Sequence, residues 1–154
     1  MSDQPPDAPR RKRFSFSRVL IALAVIFGAL WAASSVMYGD YMDRAQVSEA
    51  VQLLGSAKIP LAEYYVNQKK WPQLIEDLGI ETSGKYTQSV RITSGAGTTG
   101  GDLELTAVMK SEHIVRSIAG KTVLLATHDG GRNWQCSPGT MPARSLPPAC
   151  RPEQ

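Results

Sequence analysis

Four side chains in this sequence could hold a metal or carry redox chemistry: His113, His128, Cys136 and Cys150. The histidines stand apart. His113 follows Ser111-Glu112, His128 precedes Asp129-Gly130-Gly131, and neither has a metal-ligand spacing to the cysteines. Both read as surface histidines, and no metal or cofactor is expected. The cysteines enclose thirteen residues. Such a pair forms a disulfide in an oxidising compartment and stays as two thiols in a reducing one. The glycines at 95, 97, 100 and 101 lie between strand patterns with no helix after them, so they read as a flexible reversal and not as a phosphate cradle. The chemistry of an enzyme, and of a small-molecule substrate, is therefore not expected.

Five basic residues, Lys110, Arg116, Lys121, Arg132 and Arg144, could form a nucleic-acid patch. The charge distribution gives that idea no support. The net charge of +3 lies wholly in residues 1–39, where five basic residues face two acidic ones, while residues 40–154 carry twelve of each. A neutral domain with a solvated mixed surface is the simpler reading, and nucleic acid is not an expected partner.

The elements that must position these groups begin with one long helix. Residues 19–39 form 21 consecutive positions without a charge. At the helical rise they span about 32 Å, close to the hydrocarbon thickness of a bilayer. This is longer than the apolar core of a cleaved signal, and the pattern continues past it without a break, so an uncleaved anchor is expected. Arg10, Arg11, Lys12 and Arg13 precede it, and Arg18 stands at its inner edge. These five are the expected topology signal, holding residues 1–18 in the cytoplasm and the remainder outside. An exported domain is oxidised, which favours the disulfide state of Cys136 and Cys150. Membrane lipid is thus an expected partner. Tyr38 and Tyr41 fit an interfacial aromatic belt.

From residue 40 the helix turns amphipathic. Val47, Ala50, Val51, Leu54, Leu61, Tyr64 and Tyr65 recur at intervals of three, four and seven. Pro60 predicts a kink over 57–60, and Trp71-Pro72 predicts a stop. Residues 74–80 could hold a helical turn ended by Gly79. The period then changes to two. Strands are predicted over 86–92, 103–109, 122–127 and 132–137, with a tight Asp-Gly hairpin at 128–131. Residues 138–150, with four prolines, cannot form regular strands. The single apolar face of such a sheet needs cover, and the helix over 40–70 is the only long amphipathic element to supply it. Trp134 is expected to pack beneath the Cys136–Cys150 loop, and Val47, Val51, Leu54, Leu61, Tyr64 and Tyr65 to face the sheet. The fold class is α+β in one domain, 40–154, behind a tail (1–18) and a membrane helix (19–39).

Four stretches resemble type IV pilins of Gram-negative bacteria, in the family's order. RAQVSEAVQLLGSAKIPLAEYYVNQKKWP (44–72) is similar to the pilin helix and its exit. SGKYTQSVRI (83–92) is similar to the first strand. IAGKTVLLAT (118–127) resembles a central strand, and NWQCSPGTMPARSLPPACR (133–151) resembles the ending whose two cysteines bound a disulfide loop. The resemblance implies a pilin fold and a structural subunit of the pilus system, serving adhesion or motility, with pilin subunits or the assembly machinery as partners of the N-terminal helix. The expected location is the inner membrane, single-pass, or the pilus. The chain departs from the family at its start. Arg13 stands where the family has the Gly needed by the prepilin peptidase. Arg18 stands where it has a Glu thought to pair with a neighbour's free amine. An uncleaved accessory protein of pilus assembly is therefore the alternative expectation. A minor pilin of DNA uptake is a third.

Overall fold

The computed structural model describes residues 16–152. Arg10, Arg11, Lys12 and Arg13 lie outside them. The described chain forms two compact units that divide between Met37 and Tyr38.

Helix α1 runs over Phe16–Gln68. In its first unit the side chains from Val19 to Ser34 are exposed, including Phe27 and Trp31. Arg18 is exposed as well. By length and composition this stretch can cross a membrane.

In the second unit the same helix acquires an inward seam. Val47, Ala50, Leu54, Ala57 and Leu61 are all at most 1% exposed. Their spacing of three and four residues alternates, which keeps one narrow stripe against a partner. Pro60 lies inside α1, and the helix continues through it to Gln68. A proline removes one amide bond and releases the carbonyl four residues earlier. That carbonyl belongs to Ser56, which is exposed and open to water, so the turn survives. The helix ends at Gln68 because Lys69 adopts left-handed angles (φ 56°), with its N–H donating to the Tyr65 carbonyl at 2.8 Å. The reversal carries Trp71 into the core.

Four strands follow, β1 (Thr87–Ser94), β2 (Leu103–Met109), β3 (Thr122–Thr127) and β4 (Gln135–Ser137). They pair antiparallel in chain order. Alternation decides the faces: Leu103, Leu105, Ala107 and Met109 of β2 are buried, as are Val123 and Leu125 of β3. These meet the α1 seam, and Trp71, Ile75, Ile118, Met141 and Leu146 close the core around it.

Two predicted strands shift. β1 starts one residue late and runs on to Ser94, because the Tyr86 N–H is taken by a helix carboxylate while Ile92 and Ser94 still pair with Leu105 and Glu104. β4 loses residues 132–134. The Asp129 carboxylate collects the amides of Arg132 and Asn133, so the expected tight hairpin becomes a wider reversal over 128–134. A single turn of 3₁₀ helix at Glu76–Leu78 ends on left-handed Gly79. Residues 138–150 hold two further 3₁₀ turns, at Ala143–Ser145 and Pro148–Cys150.

Candidate functional site

The second unit is a head in which the sheet and its loops are held against the later part of α1. Three polar residues beside the α1 seam do the fixing. Asp43 is 3% exposed and accepts hydrogen bonds from Ser117 Oγ at 2.7 and 2.8 Å and from Ser145 Oγ at 2.9 Å. Gln46 Oε1 accepts from the Val115 amide at 3.0 Å. Glu49 accepts from the Tyr86 amide with both oxygens at 3.1 Å, and from the Thr87 amide at 3.2 Å. Spaced three apart, these side chains share one helix flank. They bind the start of β1, the β2–β3 connection and the 138–150 loop. A Cβ at Gly84 would meet the Glu49 carboxylate, which would have to move to make room.

At the opposite end of the sheet an aromatic group does similar work. Tyr65 stacks on Trp71 with ring centroids 4.4 Å apart, and Trp134 meets Trp71 edge-on at 6.4 Å. Their polar tips tie down loops: Tyr65 Oη donates to the Thr99 carbonyl, Trp71 Nε1 to Gly100 and Trp134 Nε1 to Gly131. Asp129 organises the neighbouring reversal. The backbone N–H of Asn133 and its side-chain amide, with help from Thr127 and Arg132, lower its pKa to about 2.

Cys136 and Cys150 are bonded, with Cα atoms 4.6 Å apart. The bridge ties β4 to the last 3₁₀ turn and closes a loop worth about 3 kcal/mol in the chain-entropy picture. A hollow of about 150 Å³ opens between α1 and the bridge, with Gly55, Lys58 and Trp134 on its walls.

The remaining candidates fall as follows. Val47, Leu54 and Leu61 lie at the centre of the core, with Val51, Tyr65 and Trp134 half-buried against it. Tyr64 is corrected: it is half-buried but outside the core cluster. Adjacent helical residues point about 100° apart, and Tyr65 takes the inward direction. Of the five basic residues considered for nucleic acid, Arg132 sits in the 128–134 reversal, and Lys110, Arg116, Lys121 and Arg144 belong to loops at the other end of the sheet. The five therefore do not lie together, since Arg132 is at the opposite end from the other four. His113 and His128 are exposed, and His128 Nδ1 lies 2.7 Å from Asp102 Oδ1. No group of three metal-capable side chains occurs among the described residues.

Asp43, Gln46 and Glu49 escaped the sequence reading, and Asp129 was legible only as part of the 128–131 turn. For the first three a signal was present. They are polar residues placed between seam positions at three-residue steps, where a surface flank would have no reason to repeat.

The pilin family, described as bacterial filament proteins, matches residues 44–151. Fimbrial protein EcpC of Eikenella corrodens is 38% identical over 145 residues, covering 92% of this chain and 91% of its own length. A fimbrial protein of Neisseria meningitidis serogroup A is 35% identical over 132 residues, covering 82% and 72%. The type IV major pilin protein PilE of Neisseria gonorrhoeae is 33% identical over 132 residues, covering 82% and 74%.

Proposed function

Because this chain belongs to the pilin family, we propose that it is a structural subunit of a type IV pilus, anchored and packed through the first part of α1. One observation carries the reading. The second unit has a complete core of its own, while residues 19–34 expose a continuous apolar surface. Such a surface needs a bilayer or other copies of the same helix to cover it. Before assembly residues 19–39 lie in the inner membrane, with Arg10–Arg13 and Arg18 on the cytoplasmic side and the head in the periplasm. In the filament the same helices pack together, and the head with its Cys136–Cys150 loop faces outward for adhesion or motility. The role is structural and not catalytic.

Sheared pili from the native cell provide the test. Mass spectrometry should find this chain in them, with a mature start at Phe14. If the chain stays in the membrane fraction at unprocessed mass, insensitive to loss of the prepilin peptidase, the filament role is refuted and the uncleaved accessory role takes its place.

A further inference from the structure

The head contains two arginine–serine pairs, Arg116-Ser117 and Arg144-Ser145, far apart in sequence. Both serines donate to one carboxylate, Asp43, and Arg44 follows that residue directly. The arrangement separates two jobs. The hydroxyls satisfy the enclosed carboxylate, and no cation lies within ion-pair distance of it among the described residues. The arginines are left outside. Arg116 is exposed, and the Arg144 side chain is 66% exposed. Among the described residues Arg144 makes one ion pair, a long one of 3.6 Å to Asp40, and exposed pairs of that kind hold their partners weakly. The Gln46 bond to the Val115 amide pins the same loop one residue before Arg116.

The position along the chain supplies the partner. The uncharged run ends at residue 39, and Asp43 lies four residues further on, about 6 Å at the helical rise. Headgroup layers extend the hydrocarbon core by roughly 5–7 Å on each side. Tyr38 and Tyr41, 66% and 62% exposed, occupy the turn between, as amphipathic rings do at that depth. Asp40, Glu49, Lys110, Glu112, His113 and Lys121 are among the other charged or titratable groups at this end. Directed guanidinium–phosphate hydrogen bonds, beyond any net charge at this end, would give the attraction.

We propose that Arg116 and Arg144, with Arg44 beside them, bind the phosphates of glycerophospholipids in the leaflet facing the head. The proposal depends on the reading that residues 19–39 cross the bilayer.

Arginine labelling by phenylglyoxal, read by peptide mass spectrometry, tests it on the full chain. The chain is placed in phosphatidylcholine vesicles and in vesicles of a phosphate-free galactolipid. Modification of Arg116 and Arg144 should fall at least threefold in phosphatidylcholine relative to galactolipid, while Arg132, in the 128–134 reversal, changes little. Equal rates in the two bilayers overturn the proposal. So does protection that follows the protein-to-lipid ratio in both, which would assign the arginines to a neighbouring copy. If the chain floats with neither vesicle, the membrane reading itself falls, and this proposal with it.

Discussion

Replacing Glu49 by Ala should cost the head about 3 kcal/mol. The carboxylate holds two amides, Tyr86 and Thr87, through contacts of 3.1–3.2 Å. Hydrogen bonds to a charged group contribute roughly 1.5–3 kcal/mol each, but one of these is shared between two oxygens and the vacated space admits water, so the sum stays near the lower end. For a unit of this size about 3 kcal/mol lowers Tm by roughly 10 °C, readable by circular dichroism of the detergent-solubilised chain. Glu49→Gln keeps one acceptor oxygen and turns an NH₂ toward the second amide, so it should lose about half as much. The sharper test couples this site to Gly84. In the parent protein, Gly84→Ala drives a methyl into the carboxylate and should cost about 2 kcal/mol by overpacking. In the Glu49→Ala background that methyl enters space the carboxylate has left, and the added cost should fall below about 0.5 kcal/mol. A double-mutant cycle measures the difference. If the two losses simply add, the carboxylate is not what excludes a side chain at position 84, and the reasoning fails.

Three further outcomes follow from the same geometry. Leu61→Ala, which empties a fully buried seam position, should cost about 3 kcal/mol in chemical denaturation, while Tyr64→Ala, outside the core cluster, should cost under about 1 kcal/mol. Breaking the bridge with Cys136→Ser and Cys150→Ser together should lose about 3 kcal/mol, with proteolytic cuts appearing first within residues 138–150. The Asp129 carboxyl is depressed from 3.8 to about 2 in the folded head. Its contribution is therefore complete above pH 3.8 and lost as pH falls toward 2. Amide resonances of Arg132 and Asn133 should titrate over that window, and Asp129→Asn should abolish the titration.

The parts that pattern could read were those governed by burial alone. β2 and β3 lie at the predicted residues because both are central strands with one buried face, and alternation there is decided by the core. The α1 seam was legible at Val47, Leu54 and Leu61 for the same reason. The reading slipped where a side chain captured backbone groups. Glu49 took the Tyr86 amide from β1, and Asp129 turned residues 132–134 out of β4. Pattern analysis weighs apolar spacing and turn composition, and it has no means of knowing which distant amide a carboxylate will find. Tyr64 shows the finer limit. A pair of adjacent tyrosines satisfies a hydrophobicity count, yet one helix face can take only one of them.

The three polar residues also answer a question the apolar seam leaves open. Val47, Ala50, Leu54, Ala57 and Leu61 alternate small and large side chains on a narrow stripe. Sliding such a helix one turn along the sheet, about 5.4 Å, would again present apolar residues to apolar residues, with small and large side chains exchanged at each level. The same slide would strand Asp43, Gln46 and Glu49 together, leaving a carboxylate that is now 3% exposed without its two serines and at least three part-buried amides without acceptors. Unsatisfied groups of this kind cost roughly 1–3 kcal/mol each, and more for a charge, so the displaced register is excluded by several kcal/mol. The seam supplies the attraction and the polar flank supplies the position. A subunit that packs through one part of a helix and displays a head on the next part needs that position held, because any slip of the head along α1 would move its outward loops by the same distance.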